Sequence, residues 1–174
     1  MNTIGGWITF FLATLVYYFT IEETMSLWDC SEYILSAYQL EVGHPPGAPL
    51  FMMLGRLFSF FVGTDQVAFM VNLMSALSSS FTILFMYWTI SLLAKKMAFS
   101  DARNLSQGQI IAIQSSAFIG AMAYTFTETF WFSAVEGEVY AMSSLMTAIT
   151  FWAILKWEEQ ADRPDADRWI LFIA

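Results

Sequence analysis

Four stretches of this sequence, residues 4–21, 67–93, 110–126 and 139–155, run for 17 residues or more without a Lys, Arg, Asp or Glu. That pattern decides the solvent. A helix crossing the hydrocarbon core needs about 20 mainly apolar residues, and a charge at its centre costs about 2.5–3.5 kcal/mol on insertion scales. Only 13% of the 174 residues are charged, against about a quarter in soluble domains. An aromatic content of 18% excludes a disordered segment, which lacks the residues to build a core. The predicted fold is an all-α integral membrane protein, a polytopic helical bundle of four spans.

A fifth apolar stretch, residues 49–61, is too short to cross and carries Arg56. It predicts a helix lying in the interface or re-entering it, with Arg56 reaching a headgroup or lipid phosphate. Basic residues set the expected orientation. Lys95, Lys96 and Arg103 lie between the second and third spans, and Lys156, Arg163 and Arg168 follow the fourth, making six of the seven. The N-terminus and the 95–109 loop are therefore expected in the cytoplasm, and residues 22–66 and 127–138 outside. Nine of the fifteen acids then fall outside, against Arg56 alone, so chemistry is sought on that face.

The net charge of -8, with seven basic residues, excludes nucleic acid as a partner, because binding it requires cations that displace counterions. Cys30, the single cysteine, has neither a disulfide partner nor metal-ligand spacing. No basic residue precedes the first apolar run, so no removable signal peptide is expected. Residues 169–174 begin another apolar run. Residues 1–174 thus read as one transmembrane unit of a protein expected to continue through a fifth span.

Chemistry-bearing residues concentrate in residues 28–50. Tyr33, Ala37 and Leu40, with Ile34 beside them, make one apolar face of a loop helix. Asp29 is placed to cap that helix, with Glu32 completing a capping-box-like pair. Two acids three apart also share a helix face and can act as a general base and a partner that orients a hydroxyl. His44-Pro45-Pro46-Gly47-Ala48-Pro49 is a rigid break that ends one helix and starts the next at Pro49. His44, the only histidine, reads either as a hydrogen-bonding turn residue or as an imidazole that contacts a phosphate or sugar. Glu136 and Glu138 flank Gly137 at the mouth of the fourth span. They either complement the helix N-terminus or, if the backbone leaves the helix at Gly137, converge on one site. The Asn72 to Ser80 and Ser116 to Ala121 runs of small and polar residues serve either close helix packing or a polar path.

The string Asp29-Cys30-Ser31-Glu32-Tyr33, followed by Gly43-His44-Pro45-Pro46-Gly47-Ala48-Pro49-Leu50-Phe51 and later by Glu136-Gly137-Glu138-Val139-Tyr140, resembles the signatures of glycosyltransferase family 117. That family includes the transmembrane protein 260-like O-mannosyltransferases. Ser31 stands where the family pattern has glycine. The resemblance implies a GT-C-like N-terminal part with an amphipathic outer-loop helix and a site on the non-cytoplasmic face, in a bacterial inner membrane. It implies sugar transfer from a polyprenyl-phosphate donor to a protein acceptor. Asp29 would be the base and Glu32 would orient acceptor or donor, while Glu136 and Glu138 would contact the donor or a divalent cation. His44 and Arg56, by charge and location, are candidates for the donor phosphate. The implied site also draws on later spans, so this stretch alone is expected to be inactive. A transporter subunit and a structural scaffold are the alternatives. The transporter predicts ionisable groups within the spans, and the sequence places none there.

Overall fold

In hydrocarbon a backbone must satisfy its own hydrogen bonds, so uncharged spanning sequence folds as helix. The computed structural model describes residues 2–98 and 105–173. Along the chain run α1 (Asn2–Thr20), α2 (Asp29–Gln39), α3 (Pro49–Ser59), a 3-10 turn (Thr64–Gln66), α4 (Val67–Ala98), α5 (Gln107–Thr125), α6 (Glu128–Val135), α7 (Val139–Gln160) and α8 (Asp167–Ile173). The described residues contain no strand. The chain is an all-α multipass membrane protein: α1, α4 and α7 are each long and apolar enough to cross, and α5 with α6 makes a fourth crossing if the bent pair counts as one.

The bend corrects the sequence reading of residues 127–138 as a loop. Helix α5 stops at Thr125, and α6 leaves at 68° to it. Tyr17 of α1 donates its hydroxyl to the Thr125 carbonyl at 3.0 Å, occupying a C-terminal group that would otherwise lack a partner. Phe130, Ala134 and Val135 then bury one face of α6 against α1 and α4. The second and fourth spans also outrun their uncharged stretches. Lys96 pairs with Glu158 and Lys156 with Glu159, so these charged turns stay helical beyond the apolar run. Arg103, counted above on the cytoplasmic side, lies outside the described residues.

Helix α4 is the hub, packed by α1, α3, α5, α6 and α7. Its Asn72, Ser75, Ser78, Ser79 and Ser80 are buried. Small side chains let the neighbouring backbones approach, and the Ser78 and Ser80 hydroxyls donate back to the Met74 and Ala76 carbonyls. On the other helices, residues such as Phe11, Phe19 and Ile119 remain exposed for lipid.

Two tethers show which ends meet. The Glu22 N–H donates to the Val135 carbonyl at 3.2 Å, joining the ends of α1 and α6. Asn72, buried at the start of α4, donates its amide to the Glu22 carbonyl at 2.7 Å and the Thr24 carbonyl at 3.1 Å. The 22–66 and 127–138 segments therefore share one end of the bundle, as the loop arithmetic predicts, and the Lys96–Glu158 pair marks the other.

Helices α2 and α3 form an elbow on that first end. Cys30, Tyr33, Ile34 and Ala37 pack with Phe51, Met52 and Val71. Gly55 permits the approach, since a Cβ there would stand 2.8 Å from Ala37 Cβ. Leu40 leaves the predicted apolar face: it adopts a left-handed conformation (φ 56°) as the C-cap of α2 and is 58% exposed. The Glu41 N–H closes the helix end on the Ser36 carbonyl at 2.9 Å. Pro49 occupies the first turn of α3, where its missing N–H costs nothing.

Candidate active site

The acids of α2 are positioned differently from the capping box the sequence suggests. Asp29 is the first residue of the helix, and Trp28 is the N-cap with no side-chain cap bond. Trp28 has φ 68° and ψ -143°, a region that costs a non-glycine residue about 1–3 kcal/mol. It is also 89% exposed. Glu32 turns away from the helix end because His44 offers it a better set of donors. Its Oε1 accepts the His44 backbone N–H at 2.7 Å, and its Oε2 lies 3.1 Å from His44 Nδ1. Those bonds, backbone first, hold the Glu32 carboxyl below the usual carboxylate range. The reciprocal capping box forms instead at Ser106 and Gln109, opening α5, from an S-x-x-Q pattern that the sequence reading passed over.

Proline-rich sequence sets the far side. A cis Pro45–Pro46 bond and the Gly47 N–H bonded to the His44 carbonyl at 2.9 Å close a turn over His44. Gly47 takes φ 77° there, a value that glycine adopts without strain. The imidazole stands with Nδ1 on Glu32 and Nε2 3.9 Å from Asp29 Oδ2. Tyr33 packs beside it at a ring separation of 5.6 Å. Burial, then the charge of Asp29, with smaller effects from Tyr140, Glu138 and Glu32, pushes the Tyr33 hydroxyl up.

The two later acids stand on the α6–α7 connection. The backbone leaves the helix there: Glu136 (φ -119°, ψ 149°) and Glu138 (φ -122°, ψ 160°) are both extended. Gly137 is buried because α2 and α4 press on it; a Cβ would lie 2.8 Å from Asn72 Oδ1 and 3.1 Å from both Ile34 and Val71. The sequence suggested that this glycine loosens the backbone, whereas close approach is what requires it. Burial, followed by the charges of Glu136 and Asp29, pushes the Glu138 carboxyl up. The charges of Glu136 and Asp29 thus reach Glu138. Sequence reasoning read Asn72 only as part of a small, polar run and passed over Trp28. A lone amide in an uncharged span could have pointed to the first, and nothing local points to the second.

Because its carboxyl is raised in the folded protein, Glu138 releases protons on unfolding, and its cost to stability grows as pH rises from the ordinary 4.5 through the raised value. Glu138→Gln is therefore expected to raise the melting temperature at pH 7.5. That gain should shrink to nothing below the ordinary carboxylate range. Thermal unfolding in detergent at both pH values checks it.

Two of the clefts at this end are lined by Glu136. One of about 550 Å³ is lined by Glu22, Ser26, Trp28, Phe132 and Glu136 among others. A second of about 870 Å³ includes Glu128, Phe132, Glu136, Glu138 and Tyr140. They meet at Phe132 and Glu136. Arg56 does not join the acids. Its guanidinium donates to the Tyr38 carbonyl at 2.7 Å and lies over the Tyr38 ring at 4.9 Å. Tyr38 is near the C-terminal end of α2, about 13 Å along the axis from Asp29 at 1.5 Å per residue. Among the described residues no group of three or more His, Cys, Asp or Glu is arranged to hold a metal ion.

The sequence model of the family described as Protein O-mannosyl-transferase TMEM260 N-terminal domain matches residues 29–174. The chain belongs to this family. The chain is 28% identical over 151 residues to "Protein O-mannosyl-transferase tmem260" of Dictyostelium discoideum, covering 85% of this chain and 16% of that protein. It is 25% identical over 155 residues to "Protein O-mannosyl-transferase TMEM260" of Mus musculus, covering 89% of this chain and 20% of that protein. The chain spans about a sixth to a fifth of the length of these curated relatives. No solved structure matches it. The TMEM260 N-terminal match opens at Asp29, and the acid-bearing end of the bundle is built almost wholly from the matched residues.

Proposed function

We propose that this chain carries the acceptor-activating part of a GT-C membrane glycosyltransferase, which moves a mannose-like sugar from a polyprenyl-phosphate donor to a protein hydroxyl. The observation that carries the reading is the exposed Asp29 carboxylate at the start of α2, beside His44 and close enough to Glu138 to raise it. The names of the two relatives, both protein O-mannosyl-transferases, support the transfer chemistry.

In this reaction the acceptor oxygen bonds to the anomeric carbon, the bond from that carbon to the lipid phosphate breaks, and Asp29 takes the hydroxyl proton. Two clefts meeting at Glu136 suit a reaction of two substrates. Glu136 and Glu138 would hold sugar hydroxyls. The site would face away from the cytoplasm, because Lys95, Lys96, Lys156, Arg163 and Arg168 lie at or beyond the opposite end. Both relatives come from eukaryotes, so they lend nothing to the bacterial inner membrane, and the proposal concerns the membrane side alone. Arg56 remains a candidate for the donor phosphate through its charge, although Tyr38 already engages it.

The test is made on the intact, longer protein in membranes supplied with mannosyl polyprenyl-phosphate and a Ser/Thr peptide. Mannose appearing on a peptide hydroxyl is the expected result. Solute flux with no transfer would overturn the reading in favour of a transporter.

A further inference from the structure

The sequence offers His44 to the donor phosphate, and the geometry points elsewhere. Both ring nitrogens of His44 face carboxylates: Nδ1 lies 3.1 Å from Glu32 Oε2, and Nε2 lies 3.9 Å from Asp29 Oδ2. Glu32 also grips the His44 backbone N–H at 2.7 Å, so one carboxylate sets both the position and the rotation of the ring. Tyr33 packs against one side of it, and the Gly47 N–H anchors the His44 carbonyl behind it. A phosphate anion approaching this imidazole would enter between two acids. Its repulsion by them would oppose any attraction to the ring.

With Nδ1–H assigned as the donor to Glu32, Nε2 is left as the ring acceptor nearest Asp29. The 3.9 Å between them is longer than a hydrogen bond, and it is closed to proton-sharing distance when the exposed Asp29 side chain moves onto the acceptor hydroxyl in the reacting complex. We propose that His44 is a positioning residue for Asp29, oriented by Glu32, and that it receives the proton Asp29 removes from the acceptor hydroxyl.

The step balances. The acceptor O–H bond breaks as its oxygen attacks the anomeric carbon, and the lipid phosphate leaves with the electron pair of the broken C–O bond. The proton passes from Asp29 Oδ2 to His44 Nε2, leaving Asp29 ionised and a cationic ring bonded to Glu32. The ring, 41% exposed, then releases its proton to water. The charged and titratable groups that face it are Asp29, Glu32 and Tyr33 from α2, with Glu138 close behind Asp29 and Tyr33 from the α6–α7 connection. Helix α3 brings the apolar Phe51 and Met52 against this part of α2. The inference rests on Asp29 being the base.

The experiment measures steady-state transfer by the intact protein in membranes, with mannosyl polyprenyl-phosphate varied over a pH series. For His44→Gln and His44→Ala we expect kcat to fall by about 10²-fold, the low end of an acid–base contribution. KM for the lipid donor should stay within about twofold, and added imidazole should restore part of the rate to His44→Ala. His44→Gln keeps the backbone N–H that Glu32 grips, so it reports on the ring with the turn anchored. A donor KM raised with kcat unchanged would make His44 a phosphate ligand and overturn the inference. So would a loss that imidazole leaves untouched and that follows folded protein in melting experiments. Asp29→Asn, run alongside, separates the two readings. If it transfers sugar at the wild-type rate, the base assignment fails first. If it is inactive while the His44 variants keep the wild-type kcat, only the present inference fails.

Discussion

Asp29→Asn in the intact protein is expected to slow sugar transfer by about 10²–10⁴-fold, the span that a positioned general base contributes. Asparagine has the same size and shape, so α2 and its packing are retained, but its amide cannot take the acceptor proton. The side chain is 57% exposed and caps nothing, so the substitution should move stability by no more than about 0.5 kcal/mol. Rate and stability are thereby separated. Initial rates with a lipid-linked mannose donor, alongside thermal unfolding of the same preparation, are the measurements. A wild-type rate would end the assignment of Asp29 as base, and a large drop in melting temperature would show that the structural part of its role had been underestimated.

Gly137→Ala should have the second largest effect, on stability and rate together. The added Cβ would stand 2.8 Å from Asn72 Oδ1, a distance that real Cβ contacts do not show. Asn72 cannot swing away cheaply, because its amide is committed to the Glu22 and Thr24 carbonyls. Ile34 and Val71 block the other directions at 3.1 Å. Overpacking of this kind costs about 1–3 kcal/mol. The backbone that carries Glu136 and Glu138 must shift, so transfer should fall with stability. The double variant with Asn72→Ala removes the clashing atom, and a double-mutant cycle in chemical denaturation should show a favourable coupling. Strict additivity would mean that Gly137 is set by something other than Asn72.

Both predictions rest on features that were legible to different degrees. The spans were visible because hydrocarbon penalises charge so heavily that its absence over a long stretch is diagnostic. The grouping of 22–66 with 127–138 followed from counting crossings and is seen in the Asn72 and Glu22 tethers. The acids and His44 were visible as residue types. Their relation was not, since the contact from His44 to Glu32 spans twelve positions and depends on the Pro45–Pro46 turn folding His44 back onto α2. The break before α6 was equally hidden. Nothing local in residues 126–127 announces a 68° bend that is settled by Tyr17, more than a hundred residues earlier.

What the sequence by itself determined is the class of object: a helical membrane protein with an acid-rich end, because solvent preference and charge are properties of residues taken one at a time. Only the tertiary structure decided how that end is wired. It turned Glu32 from a cap into the clamp on His44, gave Arg56 to the Tyr38 carbonyl, and set Gly137 as a contact between helices. Those assignments depend on which donor reaches which acceptor across the fold, and that is a matter of distance between elements, which no single stretch of chain contains.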